Sequence, residues 1–393
     1  MGESVYPRLA DTEDRCCGCT ACASICPVQA IHMEPEEKGF LIPRIDTKKC
    51  IGCHRCEQVC IYQTGTLQGE GANACYAAWR KDPSMRLVSQ SGGMSAAMAE
   101  MVVQQGGVVY GAAFREDFSV HHVRCTTQEE CERLRGSKYV QSDMRGIFRQ
   151  VRVDISAGML VLFLGTPCQI AGLRKFVGEI PDNLWLVDLI CFGVPSPRVW
   201  NDFVSWMRRR HPKKVLEEAR FRDPRQGWRK YQSAFRFSGN WYTTEDYNDL
   251  FGTAMSQRMT CYDCKFKTLS RQGDITIGDC WGIERVDKSL DQKEGVSLVL
   301  VHTEKGKTFF DALNDIEKYP LQLEHVLQPC LCQPTTRPEQ ADAFWQEYDQ
   351  HNIEWVIAKY VYGGIWRMKM KKSERWFRKH KNALKMELLH LFR

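Results

Sequence analysis

The sequence predicts an α/β protein, α+β overall, in which a small cysteine-rich domain precedes a mixed α/β body with a partly parallel sheet. Three observations support this fold class. One cysteine spacing occurs twice within the first 60 residues. Two later segments each predict a buried strand, a tight turn and a helix, and consecutive units of this kind favour parallel strands. The length of 393 residues indicates more than one domain.

The composition is that of an ordinary globular protein. Hydrophobic residues make up 43% of the chain and charged residues 26%, which is enough for large apolar cores. Because no run of about 18 apolar residues is present, no membrane-spanning helix is predicted. The first 20 residues are polar and acidic and lack the basic start and apolar stretch of a secretory signal. We therefore expect a cytoplasmic protein.

Residues 1–68 contain an internal repeat with the spacing C-x2-C-x2-C-x3-C. Nineteen cysteines in a long chain without an export signal favour metal ligation over disulfides. In two-cluster ferredoxins of the bacterial type, the fourth cysteine of each run ligates the other cluster. The repeat therefore predicts two [4Fe-4S] clusters, one bound by Cys16, Cys19, Cys22 and Cys60 and the other by Cys50, Cys53, Cys56 and Cys26.

The alternative for these runs is a pair of zinc sites, because zinc also binds C-x2-C pairs. The doubled run of eight cysteines is far more specific for iron–sulfur clusters. Cys17 lies one residue out of register with the repeat and is predicted to be a spare thiol.

Residues 69–155 predict a mixed α/β segment with two polar glycine-containing features, at 91–93 and 136–142. Glycines before a helix free backbone N–H groups for an anion, and Lys138 could add a charge, but an ordinary helix start explains the first feature equally well. No G-x-G-x-x-G follows a strand, so a Rossmann site is not expected. Helices are predicted at 96–105 and at 128–136, the latter ending at Gly136, and strands at 106–114 and 120–127.

Residues 156–345 contain the two strand–turn–helix units, at 159–176 and 184–207. Cys168 and Cys191 lie just past the carboxyl ends of the two strands, the edge of a parallel sheet where ligands usually bind. With Cys261 and Cys264, a C-x2-C pair farther along, they make the four thiolates that a third [4Fe-4S] cluster needs. Two alternatives stay open: the first two cysteines could be buried apolar residues, and the pair half of a zinc site.

Residues 346–393 are predicted to be a basic helical tail. Its last 28 residues contain ten lysine and arginine residues and two glutamates. Their net positive charge exceeds the formal net charge of +6 of the whole chain. Bound thiolates would cancel much of that charge, so no nucleic-acid binding is expected. The tail is interpreted as a solvated helix packed on its own domain, or else as a contact with an anionic membrane or an acidic partner. Its apolar face would consist of Phe377, Leu384, Leu388 and Leu391.

Six segments resemble the family of coenzyme F420-reducing hydrogenase and dehydrogenase beta subunits, to which 7-hydroxymethyl chlorophyll a reductase is related. The resemblance covers roughly residues 70–345, so 69–155 and 156–345 correspond to the N-terminal and C-terminal parts of such a subunit, and an N-terminal ferredoxin domain is a frequent companion. The segments are SGGMSAAMAE (91–100), GSKYVQS (136–142), LGTPCQIAGLRKF (164–176), DLICFGVPSP (188–197), CYDCKF (261–266) and DITIGDCWGIE (274–284).

The resemblance implies a flavin-binding body with FAD, a [4Fe-4S] cluster beside it, and a two-electron substrate at the flavin. It favours Cys168, Cys191, Cys261 and Cys264 as the ligands of this third cluster, although Cys280 stands where an aromatic or aliphatic residue is expected and leaves the fourth ligand open. The residues implied to bind the flavin are Ser91, Gly92, Gly93, Lys138, Tyr139, Asp279 and Gly282.

The function expected from these cofactors is an iron–sulfur flavoprotein oxidoreductase. It would move electrons between a ferredoxin-type donor or acceptor, or a small-molecule reductant, and an organic substrate such as F420 or another acceptor. Two alternatives are a non-catalytic electron-relay subunit of a larger complex and a redox-responsive iron–sulfur protein. No residue is identified as catalytic; of the pair His121-His122, in a predicted strand, one is expected to be exposed and the other buried.

Overall fold

The computed structural model describes residues 6–65 and 68–375. Within them, a cysteine-rich lobe (residues 6–65) packs on a body built around a mixed sheet. No helix in this part of the chain is long and apolar enough to cross a membrane. The strands are β1 (Ile31–Pro35), β2 (Leu41–Ile45), β3 (Ala74–Arg80), β4 (Val108–Phe114), β5 (Val120–Cys125), β6 (Val161–Gly165), β7 (Leu184–Leu189), β8 (Leu216–Arg220), β9 (Ser233–Phe237), β10 (Asn240–Thr244), β11 (Ile275–Asp279), β12 (Ser297–Val301) and β13 (Ile316–Pro320).

The helices are mostly short, and a further helical segment runs from residue 365 to the end of the described chain at 375. The bounded helices are α1 (Ala21–Ile25), α2 (Arg55–Gln58), α3 (Pro83–Val88), α4 (Met94–Gln104), α5 (Gln128–Glu132), α6 (Ile147–Ser156), α7 (Pro167–Val177), α8 (Pro197–Arg210), α9 (Asp246–Gly252), α10 (Ile283–Val286), α11 (Glu304–Asp311), α12 (Pro329–Cys332), α13 (Ala341–Tyr348) and α14 (Ile353–Tyr360).

The cysteine repeat has a counterpart in the backbone of the lobe. Gly18 and Gly52 have φ values of 72° and 66°, and Thr20 and His54 have φ values of 69° and 54°. Each pair is separated by the same 34 positions as the two cysteine runs. The left-handed conformation costs free energy for residues other than glycine, so Thr20 and His54 show that each run is forced around a tight loop before α1 or α2. The antiparallel hairpin β1–β2 closes the lobe.

The body is organised by a mixed sheet of eight described strands, in the order β13-β3-β12-β11-β7-β6-β4-β5. Its four central strands, β11, β7, β6 and β4, are parallel neighbours. Every residue of β6 is buried, as expected for a parallel strand covered on both faces. The antiparallel sheet β10-β9-β8 packs with α8, α9 and α14 in a second apolar core. Because β11, β7, β6 and β4 run in the same direction, their carboxyl ends lie at the same edge of the mixed sheet.

The predicted fold class is confirmed, and most predicted elements are present. The two strand–turn–helix units correspond to β6–α7 and β7–α8, with parallel strands as expected. Strands from 69–155 and from 156–345 pair in the same sheet, so these two regions share one core. The domain boundaries themselves stay predictions.

One expectation about a helix is wrong in part. The helix predicted to reach Gly136 ends at Glu132, because the next residues form tighter turns in which each N–H bonds the carbonyl three residues earlier. Residues 353–360 of the predicted tail form α14, whose Val356 and Ile357 are fully buried in the body. The proposed apolar face of Phe377, Leu384, Leu388 and Leu391 lies outside the described residues.

A buried ion pair fixes the end of β7 to the loop that precedes β11. Asp188 accepts hydrogen bonds from Arg271 at 2.7 Å, from Thr276 at 2.6 Å and from the backbone of Gly273 at 3.1 Å. Arg271 also donates to the carbonyls of Phe266 and Leu189, at 3.1 Å each. Because neither charged side chain is more than 1% exposed, each depends on the other for its solvation.

We expect Asp188→Ala to lower the free energy of unfolding by about 3–5 kcal/mol, because it leaves the Arg271 guanidinium buried without a counter-charge. The measurement is the urea midpoint under anaerobic conditions. Asp311→Ala is the control, since this residue pairs with Lys307 and Lys318 on the surface and its loss should leave the midpoint nearly unchanged. An equal, small effect of both substitutions would contradict this role of the pair.

Candidate functional site

The first predicted set of cysteines comes together in the lobe. Burial raises the pKa of Cys22, and the nearby Cys16 and Cys60 raise it further. Cys60, from the second run, thus joins the first run, as the crossed ligand pattern predicts. The sulfur of Cys16 accepts a hydrogen bond from the backbone of Gly18 at 3.3 Å. Such bonds are one of the ways in which a protein tunes a cluster's potential.

Cys19 completes this neighbourhood by packing against α7 of the body. A Cβ atom added to Gly172, on α7, would meet the Cβ and Sγ atoms of Cys19 at 2.8 Å each. Helix α7 can therefore approach the cysteine loop this closely only because residue 172 has no side chain. Glycine at this position couples the lobe to the body.

The second predicted set surrounds a small cavity in the lobe. Cys26, Cys50, Cys53 and Cys56 all line it. Burial raises the pKa of Cys56 to about 11, with a further contribution from Cys53. Cys53 is exposed, whereas the other three are partly or fully buried. This set is therefore the one that solvent, or a partner, can approach.

The third predicted set is assembled at the edge of the parallel sheet. Cys168 opens α7 after β6, Cys191 follows β7, and Cys261 and Cys264 lie on the loop before β11. Burial raises the pKa of Cys191 to about 12, and Cys168 and Cys264 add to that rise. Burial likewise raises the pKa of Cys261, next to the other three sulfurs.

Backbone hydrogen bonds hold these segments of the third set together. The backbone N–H of Val194 lies 3.5 Å from the sulfur of Cys261, and the carbonyl of Val194 accepts from the backbone of Arg258 at 3.0 Å. The hydroxyl of Thr166 lies 3.3 Å from the sulfur of Cys168. The strand ends and the C-x2-C loop are thereby fixed to one another.

The thiols of these sets are suited to binding iron. Thiols with raised pKa values stay protonated in the absence of metal, and a metal ion deprotonates a cysteine that binds it. In a four-iron cluster each cysteine binds its own iron atom, so the sulfurs need not converge on one point. Among residues 6–65 and 68–375, no three His, Cys, Asp or Glu side chains are arranged to hold a single metal ion.

The three sets follow one another in space. Cys56 of the second set lies near Cys22 of the first. Cys16 of the first set lies near Cys168 of the third, and the intervening Cys17 packs in one apolar cluster with Cys19 and Cys168. Cys17, predicted to be a spare thiol, is therefore a contact between the two sets.

Cys280 does not take part in the third set. It is fully buried in an apolar cluster with Cys75, and no cysteine of the third set belongs to that cluster. The unusual residue at position 280 therefore does not belong to the third set. The four neighbouring thiols are those of Cys168, Cys191, Cys261 and Cys264.

A cavity of about 1160 Å³ opens beside the third set, and Cys191 is part of its wall. The cavity lies at the carboxyl ends of the parallel strands, with Gly165 of β6, Leu189 of β7 and Asp279 of β11 on its wall. This is the edge at which open α/β sheets bind their ligands. Apolar atoms provide most of the lining, as is usual for cofactor sites.

Four of the seven residues predicted to bind a flavin line this cavity: Ser91, Lys138, Tyr139 and Asp279. Lys138 donates to the carbonyls of Arg133 and Arg135, at 3.1 and 2.8 Å, and burial lowers its pKa to about 7. The site therefore disfavours the charged form of its ammonium group. Asp279 pairs with Arg222 at 2.6 Å.

The other three predicted residues, all glycines, shape the backbone next to the cavity and are not part of its wall. Gly92 packs on β3, where an added Cβ would meet the carbonyl oxygen of Ala78 at 2.1 Å. Gly93 and Gly282 have φ values of 79° and 89° and precede α4 and α10. The N-terminus of α4 opens onto the cavity through Met94.

Sequence reasoning missed an aromatic and basic part of the wall. Trp281 stacks on Trp228 with 4.7 Å between ring centroids, and the guanidinium of Arg222 lies 4.9 Å from the ring of Tyr231. Trp281 and Tyr231 line the cavity. The basic residues come from segments far apart in sequence, so no local motif marks them: Arg285, Lys371 and Arg375.

The histidine pair divides as expected, with His122 buried and His121 partly exposed. His122 lines the cavity, and burial lowers its pKa to about 4, so the ring is neutral. Its Nε2 lies 3.0 Å from the carbonyl oxygen of Leu164 and is thus the protonated nitrogen. Nδ1, an acceptor, has no hydrogen-bond partner within the described part of the chain.

Comparison with protein families gives three matches. Residues 75–149 match the N-terminal model and residues 158–324 the C-terminal model of the coenzyme F420 hydrogenase/dehydrogenase beta subunit. Residues 15–64 match a 4Fe-4S dicluster domain. Together the two subunit models cover more than half of the chain.

Comparison with individual proteins adds little. A chain of the F420-reducing [NiFe] hydrogenase complex from Methanosarcina barkeri is similar, with a TM-score of 0.47 and 20% identity, covering 66% of this chain and 84% of that chain. This likeness is too distant to assign a function. No curated protein matches the chain.

We expect Gly172→Val to displace Cys19 from α7 and to lower the iron content of the anaerobically isolated protein by about four atoms per chain, the content of one cluster. The measurement is iron and sulfide analysis. Gly71→Val is the matched control, because no atom lies within 4 Å of the Cβ position at Gly71. Full iron content in the Gly172→Val protein would contradict the packing role assigned to this glycine.

Proposed function

Because the chain belongs to the family of coenzyme F420 hydrogenase/dehydrogenase beta subunits and contains a 4Fe-4S dicluster domain, we propose that it is a flavin-dependent iron–sulfur oxidoreductase. Family membership by itself makes it an iron–sulfur electron-transfer protein. The proposal adds a third [4Fe-4S] cluster, an FAD, and a two-electron organic substrate.

The observation that supports the proposal most strongly is that Cys191 belongs both to the third set of cysteines and to the cavity wall. This cysteine is one of four neighbouring, half-buried thiols, and it also forms part of the cavity wall. A cluster bound there would adjoin whatever occupies the cavity. An electron carrier in contact with a large, mostly apolar cavity is the arrangement that a flavin site next to a cluster requires.

The cavity suits FAD in size and chemistry. Its basic residues Arg285 and Lys371 can neutralise a diphosphate, and the open N-terminus of α4 offers free N–H groups. Trp281 and Tyr231 offer flat surfaces for ring stacking. The cavity is also larger than a single small metabolite needs.

When bound, a flavin exchanges a hydride with a substrate and single electrons with a cluster, which is the chemistry that the chain itself lacks. The chain supplies position and environment. The thiols of the third set would hold iron partly shielded from water, since all four are half-buried. His122 Nδ1, neutral and unpartnered, can accept a hydrogen bond from a group in the cavity.

Beyond a two-electron organic molecule, the substrate is not specified by these residues. Coenzyme F420, which appears in the description of the family, is one candidate, and another organic acceptor fits the cavity equally well. The partner on the opposite side would be a one-electron donor or acceptor. Its approach is easiest at the second set, where Cys53 is exposed.

The test is anaerobic purification followed by iron, sulfide and flavin analysis. We expect about twelve irons and one FAD per chain, as three four-iron clusters require. Cys168→Ala should lower the iron content to about eight and leave the N-terminal pair intact. Cys75→Ala is the control, because this buried cysteine lies outside the three sets.

About eight irons and no flavin in the unaltered protein would contradict the proposal and leave a two-cluster domain on an inert body. Full iron content in the Cys168→Ala protein would show that the third set is wrong. Flavin and twelve irons with turnover only in the presence of a stoichiometric partner would favour the relay subunit instead.

A further inference from the structure

Arg258 is a fully buried cation whose hydrogen-bond acceptors are all neutral. Its side chain is 0% exposed. It donates to the carbonyl of Cys16, to the side-chain oxygen of Gln141 at 2.8 Å and to the carbonyl of Leu41 at 3.1 Å. Among residues 6–65 and 68–375, no carboxylate forms an ion pair with it, in contrast to the equally buried Arg271. The protein itself thus leaves this charge uncompensated.

The surroundings of the guanidinium make this charge costly to bury. The ring of Phe40, 5.1 Å away, offers a cation–π contact but no net negative charge. The acidic residue of this region, Glu13, is engaged by Lys38 at 2.5 Å and by the backbone of Met259 at 3.3 Å. A buried cation without a counter-ion is strongly destabilising. A negative charge absent from the polypeptide is therefore needed here.

The guanidinium lies between the first and third sets of cysteines. Its charge acts on the sulfur atoms of both Cys16 and Cys168. Its own carbonyl accepts a hydrogen bond from the backbone of Cys261 at 2.9 Å, so it is part of the loop that carries the third set. Two groups of four thiolates on either side of one cation would supply the missing negative charge.

We propose that Arg258 is the shared counter-cation of the clusters bound by the first and third sets, and that it raises the midpoint potential of both. The inference rests on the proposed function, because it needs a cluster at each set. A cluster becomes more negative on reduction, so a fixed nearby cation favours its reduced form. Arg258 thereby makes both neighbouring clusters easier to reduce.

The planar, fork-shaped guanidinium of Arg258 connects three separate segments of the chain. Its three acceptors belong to the first cysteine loop, to β2 and to the segment at 136–142 of the body. Gln141 continues the link by donating to the carbonyl of Cys17 at 2.8 Å. Arg258 therefore places a charge between lobe and body.

The test is a redox titration of the complete, anaerobically purified protein, followed by EPR. The signals of the first and third clusters are assigned with Cys22→Ala and Cys168→Ala. In the Arg258→Gln protein, both midpoint potentials should fall by about 59 mV. For a one-electron centre this corresponds to a tenfold change in the ratio of reduced to oxidised cluster. The signal of the second cluster should stay unchanged.

Two further variants separate charge from structure. Gln141→Leu removes a neutral partner of Arg258 and keeps the charge, so both potentials should stay near those of the unaltered protein. Arg258→Lys should keep them near that value as well. If Arg258→Gln does not bind its full iron, restoration of iron by Arg258→Lys supports the proposal, and failure of both variants to bind iron overturns it.

The proposal is also overturned if Arg258→Gln holds three clusters with unchanged potentials, or if all three potentials shift together. These outcomes differ from a failure of the proposed function. If the proposed function fails, the unaltered protein itself shows two cluster signals and no third.

Discussion

The structure depends on the close packing of the first cysteine loop against the turn that opens α7. Gly172 allows Cys19 to reach the helix, and Cys17 packs against Cys168. This contact brings two cysteine sets, more than 100 residues apart in sequence, next to each other. Without it, the lobe would be separate from the body, and the four thiols of the third set would have no neighbouring set of cysteines.

The parallel part of the sheet provides the other half of the arrangement. Because β6 and β7 are parallel neighbours, the residues that follow them emerge at the same edge. Cys168 and Cys191 are therefore neighbours for a topological reason. The buried pair of Asp188 and Arg271 then fixes the loop that carries Cys261 and Cys264 against that edge. The cavity opens at this edge, so thiols and cavity share a wall through Cys191.

What could be predicted from the sequence was local. The spacing of the cysteine repeat predicted which cysteines join each set in the lobe, since one cluster is bound mostly from one short loop. The strand–turn–helix pattern placed Cys168 and Cys191 at one sheet edge. The roles of Arg258, Gln141 and Gly172 could not be predicted, because each depends on which surfaces of lobe and body meet. Lys371 and Arg375, on the cavity wall, come from a segment interpreted as a tail.

The account is tested most directly by anomalous diffraction at the iron edge from crystals of the anaerobically prepared protein. It predicts three separate iron centres: two in the lobe, and a third surrounded by Cys168, Cys191, Cys261 and Cys264 at the cavity wall. Two iron centres in the lobe, with no anomalous density or only zinc at the edge of the sheet, would contradict it.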